Sequence, residues 1–221
     1  MSKTQEQIKK DVVDTLYWDA RVDASNIKVS MEDENSVKLE GTVPSYSARS
    51  SAVRDAWMVS DVNFVKNEID VEYPPELKLT DEDIKSNIES KLLWSSSIDS
   101  SKIDVSVTGG IITIEGAVDS YWKKLHAENL ASEVAGVLSI DNKITVVPTE
   151  DFLDKTVAED IVEAMDRNFN INVNKVNVKV KNGVITLTGT VSSWTEYRAA
   201  MNCAENTPGV IDIKDKIKIE Y

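Results

Sequence analysis

The feature that most constrains this chain is that it repeats itself. Moving 73 residues along from Ile84, Ile88, Leu92, Ile98, Ile103, Val105 and Val107 reaches Val157, Ile161, Met165, Ile171, Val176, Val178 and Val180. The same shift carries Gly110, Ile112, Ile114, Gly116 and Val118 onto Gly183, Ile185, Leu187, Gly189 and Val191, and Gly136, Val137, Ile140, Ile144 and Val146 onto Gly209, Val210, Ile213, Ile217 and Ile219, with no gap. An earlier copy follows at a shift of 76 through Ile8, Val12, Leu16, Val22, Ile27, Val29 and Met31. After one extra residue in the Glu32–Ser36 loop the shift is 75, through Val37, Leu39, Gly41, Val43, Val62, Ile69 and Val71. Periodicity on this scale marks a tandem array of one small unit rather than a single large domain. We expect units at 1–73, 77–147 and 150–221, the first of them divergent.

Within each copy the pattern spells the same elements. Ile8/Val12/Leu16, Ile84/Ile88/Leu92 and Val157/Ile161/Met165 are the i, i+4, i+8 stripes of an amphipathic first helix. Thr4 with Gln7 and Thr80 with Asp83 read as capping boxes, and Leu79 with Ile84 as a hydrophobic staple. Leu153 breaks that pattern, so the third copy's helix is expected to start earlier, near Asp151. Two alternating strands follow, and Asn182-Gly183 and Gly109-Gly110 signal tight hairpins, where the first copy has the acidic loop Glu32–Asn35. Gly41, Gly116 and Gly189 near the ends of the second strands suggest a bulge or a close helix approach. A second helix starts near Ser45, Ser120 and Ser193, and a third strand ends each copy. The second and third strands flank a helix, so they are expected to run parallel. The fold class is therefore α+β: three tandem αββαβ units, each a three-stranded mixed sheet covered by two helices. Tyr73-Pro74-Pro75 and Val147-Pro148 join the units and are too short to be floppy, so neighbouring units are expected to touch.

The pattern Gly-x-Ile-x-Leu-x-Gly-x-Val at 183–191, with Pro208-Gly209-Val210 before the last strand, resembles the BON domain family. Ser193-Trp194, Trp57, and Gly110, Gly116 and Gly136-Val137 in the second copy add to the resemblance. The first copy departs from it, with no first glycine and with Asp61 where Gly136 and Gly209 stand. The resemblance implies a non-catalytic module linked to envelope and osmotic stress in bacteria, with phospholipid surfaces or protein partners as what it meets. A subset of such proteins is linked to monovalent-cation sensing.

Charge limits the partners. The chain has 25 basic and 38 acidic residues, net −13. Residues 1–75 hold nine basic and fourteen acidic side chains, 76–148 seven and twelve, and 149–221 nine and twelve. No copy has the net basic footprint of a nucleic acid binder, and the same field repels anionic headgroups, leaving hydrophobic contact as the route to a membrane. No apolar run is long enough for a transmembrane segment. The first residues carry no apolar export stretch, so the expected location is cytoplasmic, or periplasmic if an export signal was removed.

Catalysis needs a nucleophile, a poised acid or base, or a metal, and candidates are scarce. His126 is the only histidine and is expected on a solvated helix face; Cys203 sits at helical spacing among Ala200, Ala204 and Thr207 and reads as core. No glycine-rich phosphate loop is present, and the Glu32–Ser36 loop lacks the ligand spacing of a calcium loop. We expect no enzyme, no cofactor and no metal site. Asn67, Asn142 and Asp215 recur between apolar neighbours on the third strand, with a backbone hydrogen bond as the default role and ligand contact as the other. Gly110, Gly116, Gly136, Gly183, Gly189 and Gly209 are assigned to structural turns. The candidate lipid or partner contacts are the aromatics at helix ends: Trp18 and Trp94 closing first helices, and Tyr46, Tyr121, Trp122 and Trp194 opening second helices. They either pack between copies or meet a lipid surface or protein partner.

Overall fold

A computed structural model describes residues 3–74, 76 and 79–220. Pro75 of the first linker, Leu77 where the second unit was expected to begin, and the ends Met1 and Tyr221 lie outside the described residues. The described chain forms three modules of one topology. Module 1 runs α1 (Gln5–Trp18), β1 (Ile27–Asp33), β2 (Ser36–Val43), α2 (Tyr46–Met58) and β3 (Phe64–Val71). Module 2 runs α3 (Asp81–Trp94), β4 (Ile103–Thr108), β5 (Ile111–Val118), α4 (Tyr121–Ser132) and β6 (Ser139–Val146). Module 3 runs α5 (Asp154–Asp166), β7 (Val176–Lys181), β8 (Val184–Val191), α6 (Trp194–Glu205) and β9 (Asp212–Ile219).

Each sheet has three strands with the second in the middle, antiparallel to the first and parallel to the third. The helical stripes and the inward strand positions make each core: Ile8, Val12 and Leu16 against Val37 and Leu39, and Ile84, Ile88 and Leu92 against Ile112 and Ile114. Ile161, Met165, Ile185 and Leu187 do the same in module 3. Ala52, Ala56, Ala127, Ala131, Ala200 and Ala204 are fully buried, their small side chains letting the second helix lie close to its sheet. Burying one such Leu or Ile stabilises by roughly 1.5–3 kcal/mol, and trimming it to Ala costs about 2–5 kcal/mol.

Local chemistry sets the element ends. Both capping boxes form: the Thr4 and Thr80 hydroxyls accept from the backbone N–H groups of Gln7 and Asp83, whose side chains accept in return. Ser45 and Ser193 cap their helices through the hydroxyl, whereas the Ser120 hydroxyl donates to Asp119 instead. The third copy's first helix starts at Asp154, three residues later than the expected Asp151. The reason is a bond invisible to helix rules: the Asp154 carboxylate accepts from the N–H groups of Asn182 and Gly183 at 2.8 and 2.9 Å, tying the helix start to the hairpin. Asp81 does the same to Gly109 and Gly110. Those hairpins turn on two consecutive residues of positive φ, and module 1, with Gln5 in place of the aspartate, bulges its longer turn between Met31 and Asp33.

Of the two expectations for the glycines late in the second strands, the bulge is absent and the close helix approach is present. Strand register runs unbroken through Gly41, Gly116 and Gly189, so none is a bulge, and what approaches each of them is a short 3-10 helix. A Cβ at these positions would lie 1.9–2.0 Å from the carbonyl oxygen of Asn26, Lys102 or Lys175, the last residue of the 3-10 turn leading into the first strand. Only glycine lets that turn lie across the strand end.

Candidate functional site

Two groups of aromatics lie at helix ends, and the structure separates them. The stripe that buries Ile8, Val12 and Leu16 leaves the last residues of α1 turned away from the core, so Tyr17 and Trp18 are 75% and 81% exposed, ring edge to ring face at 5.7 Å. In module 2, Leu93 and Trp94 hold the corresponding places at 70% and 87%. Module 3 has Arg167 at that register, but Phe169, two residues on in the turn after α5, is 96% exposed. Phe169 was missing from the sequence candidates, because it lies outside the helix that the stripe defines. The repeat shift, read with a tolerance of two residues, locates it.

Beside Trp18 is a surface groove of about 820 Å³ whose floor is charged. The Arg21 guanidinium donates to both Asp19 oxygens, at 2.9 and 3.0 Å from Nε, and these bonds hold the Asp19 carboxyl well below the usual range. Asp55 on α2 is only 4% exposed, its Oδ2 has no hydrogen-bond partner, and Arg21 lies 4.0 Å from its other oxygen. Burial, then the Asp19 carboxylate beside it, pushes its pKa up to about 6.

The second group is used up between modules. Tyr46 packs on the core of module 2, with the Arg49 guanidinium 4.6 Å above its ring. The Tyr73 hydroxyl also reaches the Val137 carbonyl at 3.3 Å. Tyr121 packs on the core of module 3, and burial, then the charges of Asp212 and Glu205, raises its phenol pKa. Trp194 stacks on Trp57 of module 1 at 5.0 Å and on Tyr197 at 4.8 Å, and Phe64 meets Trp57 edge-on at 6.5 Å. Under the repeat shifts Tyr46, Tyr121 and Trp194 are one position, and Trp57 with Phe64 matches Glu205 with Asp212. Each module therefore presents the same helix start to the next, and the third contact returns to the first module. Contacts of this head-to-tail kind make a ring when the rotation closes, as it does here. Trp122 is the intermediate case, 37% exposed and tilted against His126 at 6.0 Å.

The remaining candidates have partners within their own modules. Asn67, Asn142 and Asp215 each accept, through Oδ1, the backbone N–H two residues ahead on their own edge strand: Ile69, Ile144 and Ile217 at 3.1, 3.2 and 2.9 Å. Asn142 also donates to the Lys124 carbonyl, and Asp215 accepts from the Tyr197 hydroxyl. Gly110, Gly136, Gly183 and Gly209 all have positive φ. His126, expected on a solvated face, is half-buried, because α4 lies against the end of α3 and brings its Nε2 to 3.3 Å from the Ser95 hydroxyl. Cys203 is half-buried, and burial raises its thiol pKa. Among the described residues, no group of three or more His, Cys, Asp or Glu is placed to hold a metal, and no helix is long and apolar enough to cross a membrane.

Comparison with known proteins matches the BON domain three times, at residues 4–73, 80–148 and 153–221. Osmotically-inducible protein Y of Escherichia coli (strain K12) is 26% identical over 155 residues, which cover 63% of this chain and 73% of that protein. Among solved structures, the C-terminal domain of CdsD, the structural protein of the type III secretion system of Chlamydia trachomatis, aligns with 99% of this chain and all of its own. Its identity is 15% and its TM-score 0.28. A second structure of CdsD covers 96% of this chain and 91% of its own, at 15% and 0.27. Overlap at that level carries no argument.

Proposed function

This chain belongs to the BON domain family as a member with three modules, and from that premise we propose that it is a non-catalytic, stress-related protein that binds phospholipid surfaces. The observation that supports the reading is the set Trp18, Trp94 and Phe169: one aromatic per module, each more than four-fifths exposed, at near-equivalent places in a closed ring. One exposed ring per module gives a lipid surface up to three separate apolar contacts on one chain. Each ring leaving water removes roughly 150 Å² of surface, on the order of 3–4 kcal/mol before the cost of immobilisation, and three tethered contacts add through avidity. A net charge of −13 opposes anionic headgroups, so zwitterionic lipid is the better surface.

The test is flotation with phosphatidylcholine vesicles, with tryptophan fluorescence read in parallel. The intact chain is expected to co-float with a blue shift, and the W18A/W94A/F169A variant to stay at the bottom with an unchanged melting temperature, since these side chains support no core. A variant that floats like the original sinks the assignment. No flotation of the original leaves a protein partner as what the ring surface meets.

A further inference from the structure

The helices cover one face of each sheet and leave the other open, and the three open faces differ in charge. In module 1 every lysine there is paired: Lys38 with Glu40 and Glu68 at 2.9 and 2.7 Å, Lys66 with Glu32 and Glu68 at 3.0 and 3.1 Å, and Lys28 with Glu40 at 3.7 Å. In module 2 a single lysine, Lys143, serves Glu115 and Asp141, with Asp104 nearby on β4. In module 3 the open positions hold Lys179 and Lys181 on β7 and Lys214, Lys216 and Lys218 on β9. All five are exposed, and none takes part in a salt bridge or side-chain hydrogen bond among the described residues. The strand register sets them in rows with threonine between: Lys179–Thr186–Lys214, then Asn177–Thr188–Lys216, then Thr190–Lys218. The acids of this face, Asp212 and Glu220, sit at its two ends.

We infer that this face is a docking surface for an extended acidic polypeptide segment with carboxylates at alternate residues. Lysines two residues apart on a strand recur about every 6.7 Å, the spacing of alternate side chains on a second extended chain. Lysines across the sheet lie about 10 Å apart, so such a segment can run along the threonine row with hydroxyl donors beneath it and ammonium groups on both sides. Breadth of ligand decides between anions. Screening confines attraction to about 8 Å at physiological ionic strength, so a narrow chain feels the local patch. A bilayer or a duplex extends beyond the patch and also feels the field of a chain of net charge −13. Strand addition at the β9 edge is disfavoured, because Asp215 already takes the Ile217 N–H that an added strand would use. The surface is separate from the aromatic set and does not rest on the lipid reading.

The experiment is fluorescence anisotropy on the full chain with a short labelled peptide of alternating glutamate and serine. We expect binding that weakens as salt is raised and falls about tenfold or more in K214E/K216E/K218E. The variant K10E/K85E/K155E reverses three exposed helix lysines and makes the same change in net charge, so it is expected to bind as the original does. Circular dichroism on both variants checks the fold. Equal weakening by the two variants overturns the proposal, since net charge alone then explains the binding. So does an original chain that ignores the peptide, whether it binds phosphatidylglycerol vesicles or duplex DNA through these lysines or binds none of the three.

Discussion

Modules 1 and 3 share a backbone plan but treat the same position of it in opposite ways. On the second helix, module 1 buries the carboxyl of Asp55 where the repeat places Leu130 in module 2 and Cys203 in module 3. On the open sheet face, module 1 neutralises its lysines with glutamates, whereas module 3 leaves five unpaired. At the turn before the third strand, Asp61 adopts φ 68° in module 1, and Gly209 takes the same turn in module 3 at φ 82°. What is kept between the two is the inward pattern that makes the core; what varies includes polar residues and the aromatics at helix ends. Divergence has gone where packing density does not veto it.

The contact between these two modules is the place to break the comparison with the largest effect. Trp194 and Trp57 join modules that the chain does not connect directly, so their stack is what closes the ring. Trp194→Ala is expected to lower stability by about 2–3 kcal/mol and to raise the radius of gyration in small-angle scattering. Tyr46→Ala, at the corresponding contact between modules joined by a short linker, is expected to leave the radius nearly unchanged. Equal expansion in the two variants would mean that the linkers do not restrain neighbours.

The buried carboxyl sharpens the comparison through pH. Folded, Asp55 holds its proton up to about pH 6, while an unfolded aspartate releases it near 4. Folding therefore takes up a proton in that window: stability rises as pH falls from 7 through 6 and this gain is complete near 4. Asp19, held low by Arg21, acts in the opposite sense and withdraws stability only as pH falls below about 4. Asp55→Asn is expected to raise the melting temperature at pH 7.5 and to flatten its profile between 4 and 7. A variant profile parallel to the original would show that Asp55 is ionised and satisfied in solution.

The smallest effect is expected at the turn. Asp61→Gly should change stability by no more than about 0.5 kcal/mol, because relief of the left-handed backbone is offset by the freer unfolded chain. Gly209→Asp should cost about 1 kcal/mol or more, since a Cβ there would lie 2.6 Å from the Phe152 ring. Chemical denaturation of the two variants compares them directly, and a neutral Gly209→Asp would show that Phe152 moves aside freely.

Much of this could be read in the residues. The stripes, the capping boxes, the hairpin at Asn182-Gly183 and the parallel pairing of second and third strands all depend on neighbours a few positions apart, and all are present in the fold. The start of α5 was misplaced because the Asp154 latch spans 28 residues, beyond the reach of a helix rule. The glycines at 116 and 189 were recognised as special, but what crowds them, a 3-10 turn, has no periodicity to announce it. Among the aromatics, spacing could say that Trp18 and Trp94 lie away from the buried stripe. It could not say that Trp194 faces another module, because that neighbour is more than a hundred residues away. The lysines of module 3 were visible in Val176–Lys181 and Asp212–Ile219, but counting charge over the whole copy averaged them against acids elsewhere.

By itself the sequence determined the unit, its multiplicity and its core. Side chains that alternate along a strand or recur around a helix register the geometry of the backbone on which they sit. Only the tertiary structure decided which surfaces remain, since closure of the ring depends on distant surfaces meeting, and no local periodicity encodes that. It used Tyr46, Tyr121 and Trp194 to close the ring and left Trp18, Trp94, Phe169 and the lysine face of module 3 to the solvent.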